Sequence, residues 1–342
     1  MKKMRGIVAL CVALTMGAGT SVLLAQKAAE NKKEVKRGKA EQVDVDTLVT
    51  VVDGVSAGRV PPPADIAVMF DSSHFFRAPD GSTYMPFTVT VDKSKITSPT
   101  AALYVRVASK TAAAAAAPEK GNKDKNAAPI HPWEKFDFAS VGADGKVARY
   151  IQVKPGDYDL YVAIKDKGTV EKADKSYMPK VGVLKKELTV PDFSASGLTT
   201  SSVLLSSGIQ PAPAGQTADD DPYIFGQMQI VPSKDGKYKK TDTLSVVYWV
   251  YGATGDPAGK PDLTVENSFN QKTGDGEKFF NKTQPQALNA SVPYNVSQGI
   301  PNFLEVPLLS FAPGDYRLEI KITDKPSGKT VTQNVNFTVA AS

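Results

Sequence analysis

The chain has 342 residues, 41% of them hydrophobic, with 24 prolines, 26 glycines and a formal net charge of +5. That is enough length for roughly two domains with real cores, which excludes wholesale disorder, and the proline and glycine suit a loop-rich β protein better than a helical one. The charge is local: residues 1–26 carry +3 and 27–39 carry +4, leaving −2 over 40–342, so the clustered basic face of a nucleic-acid binder is not expected.

In chain order, Lys2, Lys3 and Arg5 precede the apolar run Gly6–Ala25, which reads as a signal peptide (residues 1–25) cleaved between Ala25 and Gln26. An uncleaved anchor is the alternative, because the run approaches the length of a membrane span. On the signal-peptide reading the protein is exported, periplasmic or extracellular, and touches the membrane only through that segment before cleavage. The one cysteine, Cys11, lies inside the run behind Leu10, which excludes a lipoprotein site and leaves the mature chain without a disulfide or a thiolate nucleophile.

Residues 26–62 read as a basic tail and linker, within which "VDVDTLVTVVDGVSAG" suits either a short helix or an edge strand. The first β domain is expected over 63–208. Its strands are "DIAVMF", "TYMPFTVTVD", "ALYVRVAS", "FDFASV", "ARYIQV" and "VGVLKKELTV", with "TTSSVLLSS" as the last element. The Ala/Lys-rich stretch 110–132 reads as a solvated insertion. Residues 209–222, "IQPAPAGQTADDDP", read as a Pro/Ala/Asp linker, and 223–342 as a second β domain of seven short strands separated by turns such as "SKDGK" and "KPSGK".

One phrase occurs twice, "KPGDYDLYVAIKDK" at Lys154–Lys167 and "APGDYRLEIKITDK" at Ala312–Lys325, matching at 8 of 14 positions. Period-two alternation puts Tyr158, Leu160, Val162 and Ile164 on one face, and Tyr316, Leu318, Ile320 and Ile322 likewise. The other face of each strand is expected to be mostly solvated. Pro-Gly makes a corner, and Tyr158 and Tyr316 can each send a hydroxyl back to corner backbone. This pattern resembles the tyrosine corner of immunoglobulin-like, fibronectin type III-like and bacterial immunoglobulin-like sandwiches. The resemblance implies an all-β fold of two tandem immunoglobulin-like antiparallel β-sandwiches after the signal peptide, and implies no activity. The inter-sheet cysteine pair of antibody domains is missing, and the core side of Trp249 is left open because Val246, Val247, Tyr248, Val250 and Tyr251 around it are all apolar.

The search for chemistry finds little. Asp71 and Ser73 match two positions of the Asp-x-Ser-x-Ser metal site of von Willebrand factor A domains, but Phe75 stands at the third and the required helices are missing, so a turn after a strand is expected. The two histidines, His74 and His131, are too far apart in sequence for a zinc pattern, and no G-x-S-x-G occurs. Aspartates 219–221 in the linker could offer oxygen ligands to calcium, but an acidic run there reads first as solvated. The four Asn-x-Ser/Thr sequons read as incidental. No catalytic residue, cofactor or metal is therefore expected. The leading functional expectation is a non-enzymatic binding or assembly module of the bacterial envelope with a protein partner. The alternative is binding to polysaccharide or cell-wall polymer through exposed aromatics such as Trp133, Tyr161 or Tyr251, with a carboxylate hydrolase third.

Overall fold

The computed structural model describes residues 38–111, 131–167, 180–195, 197–256, 259–288 and 299–341. The expected signal peptide with Ala25 and Gln26, most of the basic tail, most of the Ala/Lys-rich insertion and two of the sequons lie outside the described residues. What is described is all-β, in antiparallel sheets, apart from one α-helix and a single 3₁₀ turn.

Both copies of the repeated phrase form strands, Gly156–Asp166 and Gly314–Asp324, and each occupies the same place in a sheet. Around the first copy the order is Trp133–Ser140, Thr100–Ser109, Gly156–Asp166, Val181–Val190. Around the second it is Gly276–Lys282, Leu263–Thr273, Gly314–Asp324, Thr330–Val339, with Lys237–Tyr238 added in parallel at the far edge. Each of these corner sheets has a companion sheet. The first companion runs Val68–Ser73, Thr83–Val91, Lys146–Val153. The second runs Met228–Pro232, Leu204–Pro211, Thr243–Tyr251, Ile300–Pro307. The same pairing order is therefore built twice.

The identities shared by the two phrases have matching duties. Gly156 and Gly314 hold φ of 150° and 144°, backbone that a residue with a Cβ rarely adopts. The Tyr158 hydroxyl donates to the Lys154 carbonyl at 2.8 Å, and that of Tyr316 to the Ala312 carbonyl at 2.9 Å. Asp157 accepts from Thr189 at 2.7 Å across the strand pair, as Asp315 does from Thr338 at 2.6 Å. Leu160 and Leu318 are both fully buried. At the far end, Asp166 accepts the backbone N–H groups of Thr97 and Ser98, and Asp324 that of Thr254, so each closes the loop that leads into the neighbouring strand. Five of the eight shared residues are thus accounted for by the corner, a cross-strand bond, the core or a loop closure.

The residues divide into two units, one of 38–73 and 82–192 and the other of 74–81 and 193–341. This differs from the sequence reading, which ends the first domain at 208 and places a linker over 209–222. Leu204–Pro211 pairs with both Met228–Pro232 and Thr243–Tyr251, so the strand completes the second companion sheet. Proline content suggested a linker, but Pro211 stands at the strand's last position, where a missing N–H is tolerated. Segment 74–81 also belongs to this unit, although it is written inside the first one.

In the second unit a single core draws Leu244, Val246, Tyr248 and Val250 from the companion sheet and Phe269, Leu318, Ile320 and Phe337 from the corner sheet. Val246, Tyr248 and Val250 therefore face the core and Trp249 faces away. In the first unit Leu103, Val105, Val107, Leu160, Val162 and Ile164 are buried on one face of the corner sheet.

The other face of that sheet is not solvated, contrary to expectation. The ambiguous segment of the tail is an 18-residue helix, Lys39–Ser56, and Leu48, Val52 and Val55 pack on Ala102, Tyr104, Tyr161, Ala163, Val181 and Val183. In the second unit the equivalent face keeps the expected alternation, with Arg317, Glu319 and Lys321 outside the core.

Candidate functional site

The residues that face away from the core on the second companion sheet form a ring cluster. Thr243–Tyr251 is apolar on both faces, and the outer one carries Val247, Trp249 and Tyr251. Segment 74–81 lies over part of it. Phe76, which is buried, meets Trp249 edge-on at 5.3 Å and Phe225 at 5.0 Å, while Phe225 lies 5.3 Å from Trp249 and Phe303 lies 6.4 Å beyond. Trp249, Phe225 and Phe303 remain partly exposed. Tyr251 is buried under Phe193, and its hydroxyl accepts the Arg77 N–H at 3.1 Å. Burial pushes that phenol up to about 12.

His74 borders the cluster. Its Nδ1 lies 3.1 Å from the Tyr223 hydroxyl, and burial pushes the imidazole down to about 4, so it is neutral at physiological pH. The neutral imidazole and the phenol share one hydrogen bond, its donor set by the tautomer, and the two rings are packed edge-on at 5.8 Å. That is a structural bond between a segment and the sheet it covers, with no nucleophile in it.

A second surface is the edge of the second corner sheet. Among the described residues Gly276–Lys282 pairs with Leu263–Thr273 alone, and Phe279 is 59% exposed. A bulge at Phe280 turns that ring inward, 4.7 Å from Phe311, while Lys278 and Lys282 stay exposed. Lysines and a bulge are devices that discourage indiscriminate strand pairing. Beside them Glu277 holds Arg317 through both carboxylate oxygens at 2.9 Å, and Arg317 also donates to Glu319 and Asn334.

The sequence candidates fall as follows. Tyr158 and Tyr316 sit at their corners, buried. Tyr161 and Tyr251 are each 1% exposed and cannot present a ring to a polymer, contrary to the expectation that they are exposed. Trp133 is partly exposed and packs edge-on against Tyr150 at 6.0 Å. Asp71 accepts from Thr90 at 2.6 Å at a bulge in its strand. Asp220 accepts the Thr217 N–H at 2.8 Å, and Asp221 accepts from Tyr223 and Gln229 at 2.9 and 2.7 Å, so these acidic residues close turns. Among the described residues no group of three or more His, Cys, Asp or Glu side chains could hold a metal. Also among them, no helix is long and apolar enough to cross a membrane.

The ring cluster escaped sequence reasoning because Phe76, Phe225, Trp249 and Phe303 lie on four separate segments with no common period. One trace was visible: a strand apolar on both faces must be covered on both.

No family model matches the chain, and no curated protein matches it. Among solved structures it is similar to a mutant Salmonella alpha-2-macroglobulin, at 14% identity and a TM-score of 0.24 over 82% of this chain and 16% of that one. It is also similar to Escherichia coli alpha-2-macroglobulin activated by porcine elastase, at 12% identity and a TM-score of 0.24 over 82% of this chain and 24% of that one. The chain thus spans less than a quarter of the length of these bacterial proteins.

Proposed function

We propose that this protein is an exported, non-enzymatic binding or assembly module of the bacterial cell envelope, made of two immunoglobulin-like sandwiches that act through protein–protein contacts. Support for the architecture is the pairing order common to both units, three companion strands and four corner strands with the corner tyrosine opening the third of the four, to which the second unit adds Met228–Pro232 and Lys237–Tyr238 at the edges. That arrangement is similar to a fibronectin type III sandwich. The observation that carries the functional reading is the edge strand Gly276–Lys282, paired on one side only among the described residues and presenting Phe279 at 59% exposure. Its lysines and bulge disfavour promiscuous pairing, so a partner must read the phenylalanine as well as the backbone edge. The test is a pull-down from native envelopes with tagged residues 26–342 at physiological salt, alongside Phe279→Lys. A protein retained by the parent and lost with the variant supports the reading, whereas equal retention by both removes this edge from it.

The second reading, binding to polysaccharide, is favoured by one observation, the partly exposed rings of Trp249, Phe225 and Phe303. Sugar faces stack on such rings; of the aromatics expected to take this role, Tyr161 and Tyr251 are buried and Trp133 is partly exposed. Retention on peptidoglycan or envelope polysaccharide that falls at least tenfold in Trp249→Ala would place this reading first.

A further inference from the structure

The helix Lys39–Ser56 is seated on the first corner sheet by a charge pattern as well as by apolar contact. Asp44 pairs with Lys165, both almost fully buried, and Asp53 pairs with the buried Arg106 at 2.5 Å. Arg106 is further held by the Tyr104 hydroxyl at 2.7 Å, which itself donates to Glu134 at 2.5 Å. The spacing matches from both sides. The carboxylates are nine helical residues apart, about 13.5 Å at 1.5 Å each. Lys165 stands opposite Ala102, and Arg106 lies four strand residues further, about 13 Å. Between the charges Leu48 and Val52 meet alanines and tyrosines.

The second unit supplies an internal control. The pairing registers put Thr264, Glu266 and Ser268 where the first unit has Ala102, Tyr104 and Arg106. They put Glu319, Lys321 and Thr323 where it has Tyr161, Ala163 and Lys165. The same face of the same sheet is polar in one copy and apolar with two buried cations in the other. That composition is specific to the helix it receives. Buried ion pairs contribute little net stability but specify register, because any other seating strands a charge.

The helix is also joined loosely to the sheet it covers. The backbone N–H groups of Ala57, Gly58, Arg59 and Val60 all bond back to the helix, and the Arg59 side chain donates to the Asp53 carbonyl. The first backbone bond to the sheet is the Pro63 carbonyl accepting from Val183 at 2.8 Å. Between them stand Pro61 and Pro62, which form no such bond and favour an extended spacer. Residues 39–60 are therefore one body, joined to the sheet through the two prolines.

We propose that this face is a keyed acceptor for the helix and that a second copy of the chain can fill it, so that two copies associate by exchanging helices. The second copy is the occupant because it carries the complete pattern, Asp44 and Asp53 flanking Leu48 and Val52. The experiment uses full-length mature chains with the buried pair reversed. Asp44→Lys and Lys165→Asp each place like charges together and release the helix in cis, while the double variant restores an opposite pair. Mixing the two single variants is expected to yield a 1:1 heterodimer by sedimentation. The proposal is overturned if the mixture stays uncombined while the double variant folds like the parent. Should a single variant fail to fold, hydrogen exchange on the parent decides. Helix amides exchanging at least tenfold faster than those of Thr100–Ser109 are expected, and exchange together with that strand would overturn the proposal, since a helix that opens only with the core cannot be traded.

Discussion

Tyr316 and Tyr158 show how much a single side chain can hold. Each ring is buried in its core, and each hydroxyl returns to a carbonyl four residues back, so the corner is tied to the strand that leaves it. Tyr316→Phe keeps the ring and removes the bond, and is expected to cost about 1 kcal/mol in urea denaturation. Tyr316→Ala also empties the space beside Phe311 and Phe337, and is expected to cost about 3–5 kcal/mol. A ratio near one between the two would mean that packing is not the larger part. His74 makes a prediction in pH. Its folded pKa, about 4, lies below the ordinary value of 6.5, so across that window the unfolded chain binds more protons than the folded one. Stability is whole above about pH 6.5 and falls as pH drops toward 4, by on the order of 2–3 kcal/mol. In His74→Asn this part of the acid slope is expected to vanish in denaturant midpoints measured from pH 7 to 4.5.

Among the elements, the N-terminal helix was the hardest to read and the most informative. Its sequence carries aliphatics at 48, 52 and 55, a helical spacing, but also alternating valines at 43 and 45, and nothing local decides between periods. The sheet decides, because Tyr161, Ala163, Val181 and Val183 on its outer face require a cover. That requirement was legible in the repeated phrase itself. Where the second copy has Glu319 and Lys321, the first has Tyr161 and Ala163. Leu48→Ala is expected to destabilise by about 2–5 kcal/mol, the range for a fully buried leucine. Asp44→Ala leaves Lys165 buried without its partner and is expected to cost about 3–5 kcal/mol, whereas Asp44→Leu with Lys165→Met is expected to recover most of it. Chemical denaturation of the three variants checks both statements.

At the scale of the whole molecule, the two units are not consecutive stretches of chain. A fragment of residues 223–342 lacks Leu204–Pro211, the strand between Met228–Pro232 and Thr243–Tyr251, as well as segment 74–81 with Phe76. Such a fragment is expected to show no cooperative thermal transition by circular dichroism. A melt as sharp as that of the parent chain would mean that the missing strand is dispensable.

The sequence by itself determined what depends on near neighbours along the chain. Period two marks the strands because side chains alternate across a pleated sheet, and Pro-Gly-Asp-Tyr marks the corners because one glycine φ, one cross-strand bond and one hydroxyl bond lie within five residues. Only the tertiary structure decided what depends on residues far apart: which sheet claims Leu204–Pro211, that Tyr161 and Tyr251 are covered, and that Phe76, Phe225, Trp249 and Phe303 meet. The physical reason is that apolar burial has no direction, so a buried face leaves its own period in the sequence but no mark of which distant segment covers it. A side chain states that it must be covered, and the fold supplies what covers it.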